Sequence, residues 1–437
     1  MSLKARTLGA FKWNAAEKCL IQGLNFLFAI IMARMLVPED FGLVAMVTVF
    51  SGFLGRFIDG GLSSALIYSR DANEADKSSI FWVNIGIGAA LSLVLWLCAP
   101  LIARFYNNSL LILITCLQAI NFFLGSTTPV QLALFRKELN FKKMFYARLW
   151  ALTVSGVVGI VMAYAGYGVW SIVTRILLMS SIFSLLLWLF SEWRPKLMFD
   201  PKRLKVLLSY SLPLLGSNVL SYVQKNLDTL IVGKCLGGGS LGIYNKSYQL
   251  MVLPGNQVTS MVGFVLFSSF AKFNHDKQKL WSTYVVVTKG ILLFSIMISL
   301  TIYFVSESFV MNILGSQWVG AIAIIKIMAL VGLIQPLARS VGVLFNSVGA
   351  TGLAFKLSLI ATPIYLVCIV VGALWGCRLL LSLRQKGDPP RDQTHSRSHG
   401  TLRSCWGRTI WLYRHAPPWL PLHAPQGHHW PGRQKTG

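Results

Sequence analysis

Long apolar runs recur along the chain, separated by short polar breaks. A helix that crosses a bilayer needs about 20 mostly apolar residues. Eleven stretches qualify: 15–37, 41–69, 79–103, 109–134, 147–166, 169–190, 207–232, 241–270, 283–306, 318–339 and 352–376. Membrane β-strands would be short and alternating, whereas "IFWVNIGIGAALSLVLWLCAPLI" and "VVVTKGILLFSIMISLTIYFV" are long and continuous. The pattern predicts an all-α polytopic membrane protein. Spans two and eight each carry an expected break, "SGFLGRFIDGG" at 51–61 and "VLPGNQ" at 252–257. Such breaks are tolerated where the freed backbone lines a cavity or is covered by protein.

Composition agrees. Of 437 residues, 54% are hydrophobic and 13% charged, against about a quarter charged in soluble domains. The basic residues Lys4, Arg6, Lys12 and Lys18 lie at the start of the chain and read as an uncleaved lead-in. If every span crosses, the clusters at 1–18, 136–148, 194–205 and 272–279 fall on one side, so the amino terminus is expected in the cytoplasm. The stretches "FRKELNFKKMFYARL" (135–149) and 194–205 read as basic segments lying on the anionic leaflet. The seven cysteines lack metal-ligand spacing, and no nucleophile elbow, zinc motif or phosphate-binding loop occurs. "GGGS" at 237–240 reads as a turn. No enzyme, metal, cofactor or nucleic-acid partner is expected.

A shift of 200 residues brings "IMARMLVPEDFGLV" (31–44) over "IVGKCLGGGSLGIY" (231–244) without a gap. Ile31/Ile231, Leu36/Leu236 and Gly42/Gly242 are identical, and Arg34 matches Lys234 in charge. Six spans precede the basic linker, so the copies share one orientation and predict a parallel repeat around a central cavity. The expected organisation is a six-helix bundle over 1–190, a linker over 191–206 and a second bundle over 207–376 with five spans. From residue 377 the composition turns basic, histidine-rich and proline-rich. Residues 377–437 are expected to be disordered out-of-frame sequence.

With that organisation in view, a family resemblance emerges. "MSLKARTLGAFKWNA", "ARMLVPEDFGLVAM", "FWVNIGIG", "FRKELNFKKM", "LDTLIVGKCLG", "LGIYNKSYQL" and "SSFAKFNHDKQKL" resemble the Wzx-type polysaccharide flippases. Within that group of the multidrug/oligosaccharidyl-lipid/polysaccharide superfamily, the colanic-acid and exopolysaccharide exporters are the nearest in pattern. The resemblance covers residues 1–376. It implies transfer of an undecaprenyl-pyrophosphate-linked repeat unit across the bacterial inner membrane, with membrane lipids and a polysaccharide polymerase as partners. A multidrug or cation antiporter of the same superfamily is the first alternative, and a membrane glycan polymerase or acyltransferase the second.

Charges inside spans cost on the order of 3 kcal/mol each on insertion scales, so they face a cavity or one another. Arg56, Arg175, Lys225, Lys246, Lys289 and Lys326 lie within spans, Lys289 near the cytoplasmic end where it is expected to snorkel, and Arg34, Lys234 and Arg339 lie at span ends. This cationic surplus suits a pyrophosphate or an acidic sugar. Arg56 with Asp59, and Lys225 with Asp228, are three apart and expected to pair on one helix face. Arg175 and Lys326 have no acid nearby in the sequence and are the favoured substrate contacts. Asp59, Asp228 and Glu17 are the candidates for coupling transport to a proton or sodium gradient.

Overall fold

The computed structural model describes residues 20–63, 66, 73–138, 140–272 and 277–347, with the single positions 363, 367 and 371. Glu17, the tail 377–437 and nearly all of the eleventh predicted span lie outside the described residues. In chain order the helices are α1 (Leu20–Met35), α2 (Pro38–Asp59), α3 (Glu74–Tyr106), α4 (Leu110–Ser126) and α5 (Pro129–Lys137). They continue as α6 (Phe141–Tyr164), α7 (Val169–Phe190), α8 (Pro201–Lys272), α9 (Lys277–Phe309) and α10 (Val319–Ser347). Among the described residues no strand occurs, and seven helices are long and apolar enough to cross a membrane. Their outward faces carry exposed Leu93, Trp96, Leu97 and Leu101, as a lipid-facing surface requires. The chain is a multi-pass membrane protein.

Local chemistry sets the helix ends. Pro38 sits in the first turn of α2, where its missing N–H costs nothing, and the Asp40 carboxylate accepts the Val37 amide at 3.3 Å. Asn73 and Asp76 cap α3 reciprocally, at 2.8 and 3.0 Å. At the other end of α2, Gly60 and Gly61 take positive φ, which ends the helix at the first expected break. The second expected break does not form. Helix α8 continues through 252–257, because one proline removes a single ladder bond and the neighbouring bonds hold.

What does interrupt α8 is Gly237, at φ 79° and ψ −177°. Beyond it the chain folds back on itself. Tyr244 Oη donates to Asp228 Oδ2 at 2.5 Å, whereas sixteen residues of straight helix would hold them about 24 Å apart. Spans seven and eight are therefore the two arms of a hairpin.

The corner at 135–149 also departs from expectation. It is the end of α5, a short turn and the start of α6, so Arg148 is carried into the bundle. Residues 191–200 run without helix along the start of α3. The Lys196 and Asp200 amides donate to Ser78 Oγ and Ser79 Oγ, and Trp82 Nε1 donates to the Lys196 carbonyl.

Helices α2, α3, α4 and α7 bury one core around Val47, Leu111, Ile114 and Val173. A second core gathers Val310, Leu314, Trp318, Ala321 and Ile325. Leu241 is buried in the first core, while Phe41 packs against both, edge-on to Trp318 of the second at 5.4 Å. The contact between the two hairpins is reciprocal. A Cβ on Gly42 would lie 1.8 Å from the Gly238 carbonyl oxygen, and one on Gly242 would lie 1.8 Å from that of Pro38. Only glycine allows the backbones this close.

Candidate functional site

Helices α1, α4, α6 and α7 line an open cavity of about 440 Å³. Its polar lining is Asn25, Asn121, Arg148, Arg175 and Ser180. A second cavity of about 330 Å³ adjoins it through Asn121, Ile176 and Ser180, and adds Thr48, Ser51 and Gln118. Among the described residues no carboxylate lines either one.

Arg175 reaches the first cavity because α7 packs closely on α6. A Cβ added at Gly159 would meet the Arg175 side chain at 3.1 Å, so the glycine makes room for it. The guanidinium donates to Asn25 Oδ1 at 3.3 Å and lies 5.9 Å from the centre of the Phe28 ring. Arg148 stacks over Phe183 at 5.3 Å. Asn121 Oδ1 is buried with no hydrogen-bond donor.

Lys246 of α8 also reaches α1. It is 7% exposed, donates to the Ala29 carbonyl at 3.1 Å and stands 4.7 Å from the centre of the Phe41 ring. Two cations thus contact one short helix, and none of the carboxylates among the described residues pairs with either.

The remaining candidates are placed elsewhere. Arg34 donates to the Asn312 carbonyl at 2.9 Å, while Lys234 donates to the Phe105 carbonyl and covers the Phe105 ring. Each thus caps the carboxyl end of a helix in the other half of the chain. Arg56 lies 4.9 Å from the centre of the Tyr222 ring, whose hydroxyl donates to the Thr48 and Val49 carbonyls. The side chains of Asp59 and Arg339 lie outside the described residues.

Two expected pairings change. Lys225 is exposed and does not pair with Asp228. The hairpin brings Tyr244 to that carboxylate, and the Thr229 amide donates to it at 2.7 Å. Lys326 has an acid after all, because α9 presents Glu307 at 3.3 Å. Nineteen residues of separation hide that pair from a local reading.

Arg148, Asn25, Gln118 and Asn121 were not singled out by charge counting. A signal for the amides was present, since "LITCLQAINFFLG" places two carboxamides one helical turn apart in an otherwise apolar run.

Comparison with known proteins agrees with this architecture. The lipopolysaccharide biosynthesis protein WzxC of Escherichia coli K12 is 26% identical over 376 residues, 85% of this chain and 76% of WzxC. Among solved structures, an inward-facing multidrug resistance MATE family transporter of the MOP superfamily superposes with a TM-score of 0.63. That match has 16% identity and covers 84% of this chain and 96% of the transporter. The lipid II flippase MurJ in an inward closed conformation gives a TM-score of 0.57 at 17% identity, over 84% of this chain and 87% of MurJ. At these identities the two structures speak for the fold. A family described as polysaccharide biosynthesis protein matches residues 31–323, and the chain belongs to that family.

Proposed function

We propose that the protein moves lipid-linked oligosaccharides across the membrane for polysaccharide synthesis, the head group passing through the helical bundle. The observation that carries this reading is the pair Arg175 and Lys246, two cations beside α1 that no carboxylate among the described residues neutralises. A cation inside a span is costly unless something anionic visits it. A pyrophosphate joining a prenyl chain to a sugar supplies that charge, while the adjoining carboxamides and hydroxyls suit the sugar. A multidrug antiporter, which receives cations, would need acids where these cavities have arginine and amide.

The membrane in this reading is the bacterial inner membrane, with the amino terminus in the cytoplasm. Membrane lipids surround the bundle, and a polymerase receives the exported unit. The chemistry is movement without bond making, so no enzymatic group is assigned. Asp228 is the acid favoured for gradient coupling, since it is buried and held by Tyr244 and Thr229.

Complementation is the test. The gene should restore polysaccharide export to a strain lacking its flippase, and R175A or K246A at equal protein level should reduce that restoration by at least tenfold. Full restoration by both variants would remove the two cations from the transport path.

A further inference from the structure

We propose that the two adjoining cavities, one lined by α1, α4, α6 and α7 and the other by α2, α4 and α7, are one bipartite binding site, with an anion path and a separate sugar chamber. This assignment rests on the transport reading above and adds to it where each part of the cargo sits.

The anion path follows from helix geometry. Helices α6 and α7 form a hairpin joined by the short turn 165–168, and Lys143 of α6 donates to the Phe190 carbonyl at the far end of α7 at 3.0 Å. The start of α6 and the end of α7 therefore lie on the same side. Arg148 is seven residues into α6, about 10 Å from that side at 1.5 Å per residue. Arg175 is fifteen residues before the end of α7, about 22 Å from it. Both guanidinium side chains line the same cavity at two depths. Arg148 receives the phosphate group from the linker side and Arg175 holds it deeper. Each site is weak by itself, because Arg148 is engaged with Phe183 and Arg175 with Asn25. A weak pair of steps lets an anion advance and leave.

The sugar chamber is chemically different. It is lined by Thr48, Ser51, Gln118 and Ser180, and among the described residues no charged group lines it. Asn121 belongs to both cavities, and its buried oxygen has no donor. A buried acceptor in that condition is costly until a donor arrives, and a sugar hydroxyl is a donor of the right size. The order of groups in the cargo, phosphate next to sugar, matches the order of the two cavities.

Binding to the full chain in nanodiscs tests this, with undecaprenyl pyrophosphate, the same lipid carrying one disaccharide, inorganic pyrophosphate and undecaprenol as probes. R148A and R175A should each weaken undecaprenyl pyrophosphate about tenfold, the factor one charge-assisted hydrogen bond carries. R148K and R175K should lie between these variants and the unaltered chain, and exposed K289A should bind as the unaltered chain does. N121A should weaken the disaccharide form and leave bare undecaprenyl pyrophosphate unchanged. Unaltered melting temperature and monodisperse elution would show that each variant is folded.

Equal binding by R148A and R175A, with loss in K246A, would place the anion at Lys246, which lines neither cavity. That overturns the proposal and leaves the transport reading standing. Inorganic pyrophosphate binding as tightly as the lipid, with no effect of N121A, would identify a free-phosphate site and overturn it too. If the unaltered chain ignores every anionic probe and takes tetraphenylphosphonium, the transport reading itself falls, and the proposal with it.

Discussion

Asp228 shows how a single side chain acquires its surroundings. Its carboxylate accepts from the Tyr244 hydroxyl at 2.5 Å and from the Thr229 amide at 2.7 Å, while Lys225 one turn away remains exposed. If this acid couples transport to an ion gradient, D228N should abolish stimulation by an imposed proton or sodium gradient in proteoliposomes. Gradient-driven transport equal to that of the unaltered chain would exclude it. Y244F should leave the carboxylate in place but remove its shortest donor, and is expected to shift the gradient dependence less than D228N does. Arg175 illustrates the opposite case, a cation held by an amide and an aromatic ring rather than by an acid.

At the scale of elements, the two hairpins meet where glycine leaves room. Gly42 abuts the Gly238 carbonyl and Gly242 abuts that of Pro38. A methyl group at either place forces the backbones apart, and overpacking of this kind costs about 1–3 kcal/mol. G42A and G242A should therefore lower the melting temperature of the purified protein to similar extents, since their contacts are mirror versions of one another. A large drop in one with none in the other would show that the reciprocal contact is not shared equally. The carboxyl end of α1 depends on the same seam. The Ala33 and Arg34 carbonyls accept from Gln317 Nε2 at 3.1 and 3.0 Å, and fully buried Trp318 donates to Ala33 at 2.7 Å.

Across the whole molecule, exchange between the halves is the recurring device. Arg34 caps the helix end at Asn312, Lys234 caps the one at Phe105, and Leu241 is buried in the core that α2, α3, α4 and α7 build. A transporter that rocks one half against the other must break contacts of this kind in each cycle. Joining R34C to N312C with a short bismaleimide, in a background lacking other cysteines, should stop transport, while the unlinked double variant retains it. Transport by the linked protein would mean that this seam stays closed throughout the cycle.

Hydrophobic run length determined the helical, membrane-spanning class, because a bilayer admits only segments whose backbone bonds are satisfied internally. Pro38, Gly60 and Gly61 were legible for a similar reason, since φ restrictions act within a residue or two. The matching positions of Gly42 and Gly242 in the sequence were visible too. Pairing of charges was not. Lys326 with Glu307, and Asp228 with Tyr244, depend on which helix faces lie side by side, a property of packing rather than of local spacing. Arg148 looked like a surface anchor until the turn after α5 carried it into the cavity with Arg175. The tertiary structure alone decided which cations share a chamber, because a side chain's neighbours come from helices more than twenty residues away in sequence.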